Sequence, residues 1–109
     1  MGEEIAAEFL RAKKFVIIES NFRTRGGEID LVARDPNGEL VFVEVKTYAS
    51  DSLTPLEEAI PRWKQRKLIR TARHYLDTIK DQNARFDVLA ITRKGSSADI
   101  EHFKNAFTA

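Results

Sequence analysis

The chain has 109 residues, 42% hydrophobic and 32% charged, with 18 Lys and Arg against 17 Asp and Glu, one tryptophan and no cysteine. That suits one domain around a single core in a cytoplasmic protein, and it excludes a disulfide framework, a cysteine-based zinc site, a signal-peptide opening and the apolar run of about 20 residues that crosses a bilayer. A net charge of +1 gives no whole-molecule attraction to nucleic acid, so any such signal must lie in how the charges are distributed.

Residues 2–14 place Ile5, Ala6, Phe9 and Leu10 at helical spacing and predict a first helix, followed by a strand over 15–22. Thr24-Arg25-Gly26-Gly27 reads as a flexible turn. Two apolar segments, 28–33 and 39–46, flank Asp35-Pro36-Asn37-Gly38. Asp, Pro and Gly occupy the first, second and fourth positions that a type I turn favours, so the two segments are expected to pair as an antiparallel hairpin. Residues 48–55 read as a loop, and Thr54-Pro55-Leu56-Glu57 as a helix start with a capping box. Pro61 then restarts the helix, whose long arm is expected over 62–80, before strands over 85–93 and 99–103. A strand, a long helix and another strand suggest a parallel crossover unit, and hence a mixed α/β sheet flanked by helices on both faces in a single domain.

Ionisable groups interrupt the apolar strands at Asp30, Glu44 and Lys46. Strand parity puts Leu40, Phe42, Glu44 and Lys46 on one face and Val41, Val43 and Val45 on the other. Hairpin pairing then brings Asp30 toward Glu44. A Glu–Lys pair on a strand is most often a solvated edge pair that contributes little to stability. Inside a valine and phenylalanine run, however, charges are costly unless paired or holding a metal. From the residues alone, a solvated pair and a functional carboxylate cluster both remain open.

Within 62–73 the chain carries Arg62, Lys64, Arg66, Lys67, Arg70 and Arg73 with no acid among them. Arg62, Arg66, Arg70 and Arg73 recur at helical spacing, opposite an expected apolar stripe of Ile69, Ala72, Leu76 and Ile79. A basic helix face is usually solvated surface; beside an acidic site it also suits a phosphate backbone, with Lys64 nearest the acids. His74 and His102 stand in separate elements without ligand spacing and read as surface or interface residues. Trp63 reads as a packing residue rather than a base-stacking platform.

Gly27-Glu28-Ile29-Asp30-Leu31-Val32 together with Val41-Phe42-Val43-Glu44-Val45-Lys46-Thr47 resembles the YraN-like family of uncharacterised bacterial proteins. The resemblance runs from Gly2-Glu3 through Ala6, Leu10 and Asn21 to Lys64 and Ile100-Glu101-His102-Phe103. The family is similar to archaeal Holliday-junction resolvases and to the restriction-endonuclease-like nucleases with their PD-(D/E)xK motif. It usually has a glycine ahead of an aromatic where Lys14 precedes Phe15 here.

The resemblance implies a restriction-endonuclease-like nuclease domain over 1–109 that hydrolyses phosphodiester bonds in DNA, branched or Holliday-junction DNA included. It implies catalytic roles for Asp30, Glu44 and Lys46. It also implies a Mg²⁺ or Mn²⁺ ion held by Asp30, Glu44, the Val45 carbonyl and Glu3. DNA contacts are expected from Lys64, Arg66, Arg70 and Arg73. A homodimer would match a symmetric substrate, and a binding module that keeps the fold without cutting is the alternative. Three acids meeting without their cation repel, so Glu44→Gln is expected to leave the metal-free chain at least as stable as the parent.

Overall fold

A computed structural model describes residues 2–49, 59–79 and 83–108. The Thr54-to-Glu57 capping pattern, most of the expected 48–55 loop and Lys80 lie outside the described residues. The element order is α1 (Gly2–Ala12), β1 (Val16–Thr24), β2 (Gly27–Arg34), β3 (Leu40–Tyr48), α2 (Arg62–Ile79), β4 (Ala84–Lys94) and β5 (Ser97–Phe107). The strands form a sheet in chain order, β1-β2-β3-β4-β5. β3 and β4 are parallel and joined through α2, while the other neighbours are antiparallel. No described helix is long and apolar enough to cross a membrane.

Alternation along the central strands builds two cores, one on each face of the sheet, where a single core was expected. Leu40, Phe42, Phe86 and Val88 face α2, where they meet Leu68, Ala72 and Tyr75. Val41, Val43, Leu89 and Ile91 face α1, where they meet Ala6, Leu10 and Phe15. A helix therefore covers each face, as expected for strands that read as continuous apolar runs. The buried stripe of α2 is Leu68, Thr71, Ala72 and Tyr75, rotated from the expected Ile69, Ala72, Leu76 and Ile79. Tyr75 supplies the reason: its ring packs edge-on against both Phe22 and Phe42, and a Tyr buries more apolar area than the isoleucines.

The hairpin forms as its turn residues demand. The Gly38 amide donates to the Asp35 carbonyl at 2.9 Å, and Gly38 takes a φ of 87°. The Asp35 carboxylate also accepts the amides of Asn37 and Glu39, each at 2.9 Å. Arg85 of β4 ties this turn to the sheet. Its guanidinium reaches Asp35 and Glu39, and it grips both oxygens of Asp87, at 2.9 and 3.2 Å. Asp87 is fully buried and also accepts from the Asn105 amide at 2.9 Å and pairs with His102 Nε2 at 2.7 Å.

His102 is thus not a surface residue, one of the two readings expected for it. Its side chain is 4% exposed, packed by Phe9 and Phe15. His74 is exposed, as expected.

The end of α1 explains the glycine expected at position 14. Lys14 has a φ of 72°. The Phe15 amide donates to the Leu10 carbonyl at 3.0 Å and the Lys14 amide to the Arg11 carbonyl at 2.9 Å. This is a Schellman end, whose left-handed residue is normally glycine. A side chain costs about 1 kcal/mol in that conformation, so Lys14→Gly should stabilise the fold by roughly 1 kcal/mol. The expected readout is a higher urea midpoint at unchanged slope; a lower midpoint would mean that the Lys14 side chain contributes more than its strain.

Candidate functional site

The β2–β3 ladder ends at Leu31↔Val43. Beyond that point β2 changes phase. Leu31 faces α1 while Ile29, which an undistorted strand would leave on the same side, faces α2. The switch falls at Asp30, near Asn21 of β1, whose φ is 56°. With the backbone ladder interrupted, the Asp30 side chain takes over and its Oδ2 accepts the Val45 amide at 2.7 Å. The amide and carbonyl of one strand residue point to the same neighbour, so the Val45 carbonyl is also turned to the Asp30 side.

Glu44 lies next to it on the α2 face. Its carboxylate is nearly buried, and Oε2 meets Lys64 Nζ of α2 at 3.1 Å and Lys46 Nζ at 3.5 Å. Asp30, Glu44 and Lys64 line one cleft of about 480 Å³. The parity and hairpin expectations therefore converge: Asp30, Glu44, Lys46 and Lys64 form one cluster.

The charges in the cluster are unequally satisfied. Burial, with the neighbouring Glu44 carboxylate and more distantly Glu3, pushes the Asp30 carboxyl up to about 7, against the lowering effect of the Val45 amide. Burial lowers the Lys46 ammonium, the adjacent Lys64 lowers it further, and Glu44 offsets only part. Lys64 is raised instead: burial opposes its charge, but its contacts with Lys46 and Glu44 outweigh that. Lys46 is consequently the more easily neutralised of the two cations, and Asp30 the acid that ionises at a cost.

That places the electrostatic relief on Asp30 rather than Glu44. Glu44→Gln would strand two ammonium groups at 3.1 and 3.5 Å, so the expected neutrality of that substitution does not follow. Asp30→Asn keeps an oxygen for the Val45 amide and removes the disfavoured charge. Because the folded-state value lies above the ordinary one, the metal-free parent loses stability as pH rises from about 4 through 7. In EDTA the variant should melt with the parent near pH 4 and above it beyond pH 7; a gap independent of pH would remove Asp30 ionisation as its cause.

Glu3 lies apart from this pair. α1 begins against the end of β3, where a Cβ on Gly2 would come within 3.1 Å of the Thr47 side chain. Glu3 lines a neighbouring cleft with Glu4, Glu8, Ser20 and Asn21, close enough to act on Asp30 through its charge. Among the described residues no three acids, histidines or cysteines gather as a metal-binding group. The oxygens that could serve as donors at Asp30 are therefore two carboxylates and, on the same side, a backbone carbonyl. Hard oxygens of this kind fit Mg²⁺, which keeps several waters and needs few protein ligands.

The helix cations divide. Lys64 and Lys67 line the cleft. The Arg70 side chain lies over Gly26 at the cleft's rim, its Cδ 3.8 Å from where a Cβ would stand. Arg66 and Arg73 are exposed, and helical geometry turns them away from Lys64, onto the solvent side of α2. The sequence reasoning missed Lys67, Arg23 and Arg25, which complete the cationic wall. It also misplaced Trp63, which is 58% exposed at the same cleft. Gly27 lets the β1–β2 turn sit this close to α2, since a Cβ there would lie 3.0 Å from the Thr71 hydroxyl.

Comparison with known proteins gives a family and a distant structural likeness. A model of the uncharacterised protein family UPF0102 matches residues 2–91. UPF0102 proteins of Geobacter metallireducens and Pelobacter propionicus are 45% and 46% identical over 97% of this chain, covering 88% and 79% of their own lengths. The relative in Persephonella marina is 44% identical over 97% of this chain and 89% of its own. Among solved structures, SfsA of Pyrococcus furiosus in complex with Ca²⁺ aligns over 92% of this chain and 58% of its own, at 13% identity and a TM-score of 0.34.

Proposed function

The chain belongs to the uncharacterised family UPF0102, and we propose that it is a metal-dependent nuclease that hydrolyses phosphodiester bonds in DNA. One observation carries the reading: a raised Asp30 carboxyl beside Glu44, with Lys46 and Lys64 on that same glutamate, in a cleft walled by cations.

Phosphodiester hydrolysis needs a nucleophilic water and a sink for negative charge. A bound Mg²⁺ or Mn²⁺ supplies an acidified water and charge neutralisation at the phosphate. Asp30, Glu44 and the Val45 carbonyl would hold the ion, and an ion there makes the Asp30 charge favourable instead of costly. Lys46, with its depressed ammonium, is suited to orient the attacking water and to meet the charge developing on the phosphate. Lys64 holds Glu44 in place, while Arg23, Arg25 and Lys67 offset the repulsion between two carboxylates and a polyanion.

The competing reading, a binding module that does not cut, is favoured by one feature: the Glu44 carboxylate already has two lysine partners, with which an ion must compete. A cleavage screen separates the two. Single-stranded, duplex, flap and four-way DNA are incubated with Mg²⁺ or Mn²⁺, each beside the Asp30→Asn variant. Metal-dependent cleavage that the variant lacks supports the nuclease; binding without cleavage of any substrate supports the module.

A further inference from the structure

Trp63 is the chain's one tryptophan. It sits in the first turn of α2 with 58% of its surface exposed, although an indole buried in a core would stabilise the fold by several kcal/mol. The other large hydrophobic side chains exposed among the described residues, Val16, Ile18 and Ile79, are aliphatic. None of the three lines the cleft, whereas Trp63 does. Lys67, one helical turn on, holds its ammonium 6.0 Å from the indole centroid, a distance at which a cation still favours an aromatic face. Arg23, near the end of β1, and Arg25, in the β1–β2 turn, line the same cleft, with Arg23 partly offset by Glu28 at 3.0 Å.

An exposed aromatic ring among arginines and lysines matches a nucleotide in both of its parts, the ring for a base face and the cations for phosphates. A protein partner would explain the indole but not the four cations that line the cleft with it, which outnumber the acids Glu28, Asp30 and Glu44 by one. Inside a duplex each base face is already covered by its neighbours, so a stacking ring gains nothing from an intact double helix. We propose that Trp63 is a stacking platform for an unpaired base, and that the cleft accepts a single-stranded segment of DNA, such as a flap or a strand end. The proposal rests on the nuclease reading of the same cleft and narrows its substrate. It replaces the packing role expected for Trp63 from sequence.

The lone tryptophan makes the test direct. The full chain in EDTA is titrated with short oligothymidylate and with a duplex of equal length, reading indole fluorescence and the anisotropy of labelled DNA. The expected result is quenching by the single strand and an affinity for it about 10-fold above that for the duplex. Trp63→Ala should weaken single-strand binding by about 10-fold, and Trp63→Phe should keep most of it, since a ring remains. Changing Arg25 and Lys67 to Gln should flatten the salt dependence by about 0.7 log units for each phosphate of a single strand that is no longer neutralised; Arg66→Gln with Arg73→Gln should leave it unchanged.

Equal affinity for duplex and single strand, or a Trp63→Ala variant that binds the single strand as the parent does, overturns the proposal. The cleavage screen scores the nuclease reading separately. Flap and duplex cut alike, with Trp63→Ala unaffected, would remove the stacking role and leave the nuclease. Single-strand binding through Trp63 without cleavage would keep the platform and remove the nuclease.

Discussion

Arg85→Met lowers the stability of the fold by about 3–5 kcal/mol, the range for removing one partner of a buried ion pair. The methionine fills a similar volume but leaves Asp87, fully buried, and Asp35, nearly so, without the guanidinium that both engage. Against a total of roughly 5–15 kcal/mol for a small domain, the loss is a large share. At about 4–8 °C per kcal/mol, the melting temperature should fall by some 12–40 °C.

Acid unfolding should shift as well. Burial raises the Asp87 carboxyl, but His102, Arg85 and the Asn105 amide together hold it below its ordinary value; Asp35 is held low by Arg85 and by its turn amides, also against burial. Groups depressed in this way contribute stability above about pH 4 that is lost as pH falls through their folded-state values. Without Arg85 that contribution shrinks, so the variant unfolds at a higher pH than the parent. Urea titrations from acid to neutral pH read both effects, and a loss under about 1 kcal/mol would show the network to be dispensable.

The second large effect separates the metal from the lysine. Lys46→Ala should lower the cleavage rate by about 10²–10³-fold, the scale of one missing donor to transition-state charge, while Mn²⁺ binding by calorimetry stays near the parent's. Asp30→Asn should abolish both, because in the proposed site the carboxylate would be the ligand and the ammonium would not. Equal loss of Mn²⁺ affinity in the two variants would mean that Lys46 acts by holding Glu44 in place, through the pairing at 3.5 Å.

Local chemistry makes much of the fold legible. Asp35, Pro36 and Gly38 specify their turn without help from distant residues, and the alternation from Leu40 to Lys46 fixes which face each side chain takes. Asp30 and Glu44 stand out because a charge inside an apolar strand demands an explanation. The same signal is present at Asp87, within Phe86-Asp87-Val88-Leu89, and it leads to Arg85 and His102. The rotation of α2 is harder to read. Its arginines mark a stripe at helical spacing, but spacing alone does not say which stripe meets the sheet; Tyr75, packing on Phe22 and Phe42, decides that. Lys67 and Trp63 thereby come to the cleft, and Arg66 and Arg73 to solvent. The phase switch at Asp30 depends on where two strands separate, which no single segment records.

The chain-order arrangement of the strands bears on how the molecule folds. Each strand pairs only with its neighbours in sequence, so β1–β2, β2–β3 and β4–β5 close short loops, and small loops carry a small entropy cost. The β3–β4 pairing alone must wait for a long connection through α2, and it is the pairing that unites the two antiparallel halves. Glu44 and Lys46 lie on β3 at that seam, opposite Val88 and Ala90. The segment that completes the cluster is therefore also the segment whose long-range pairing governs the search for the native topology.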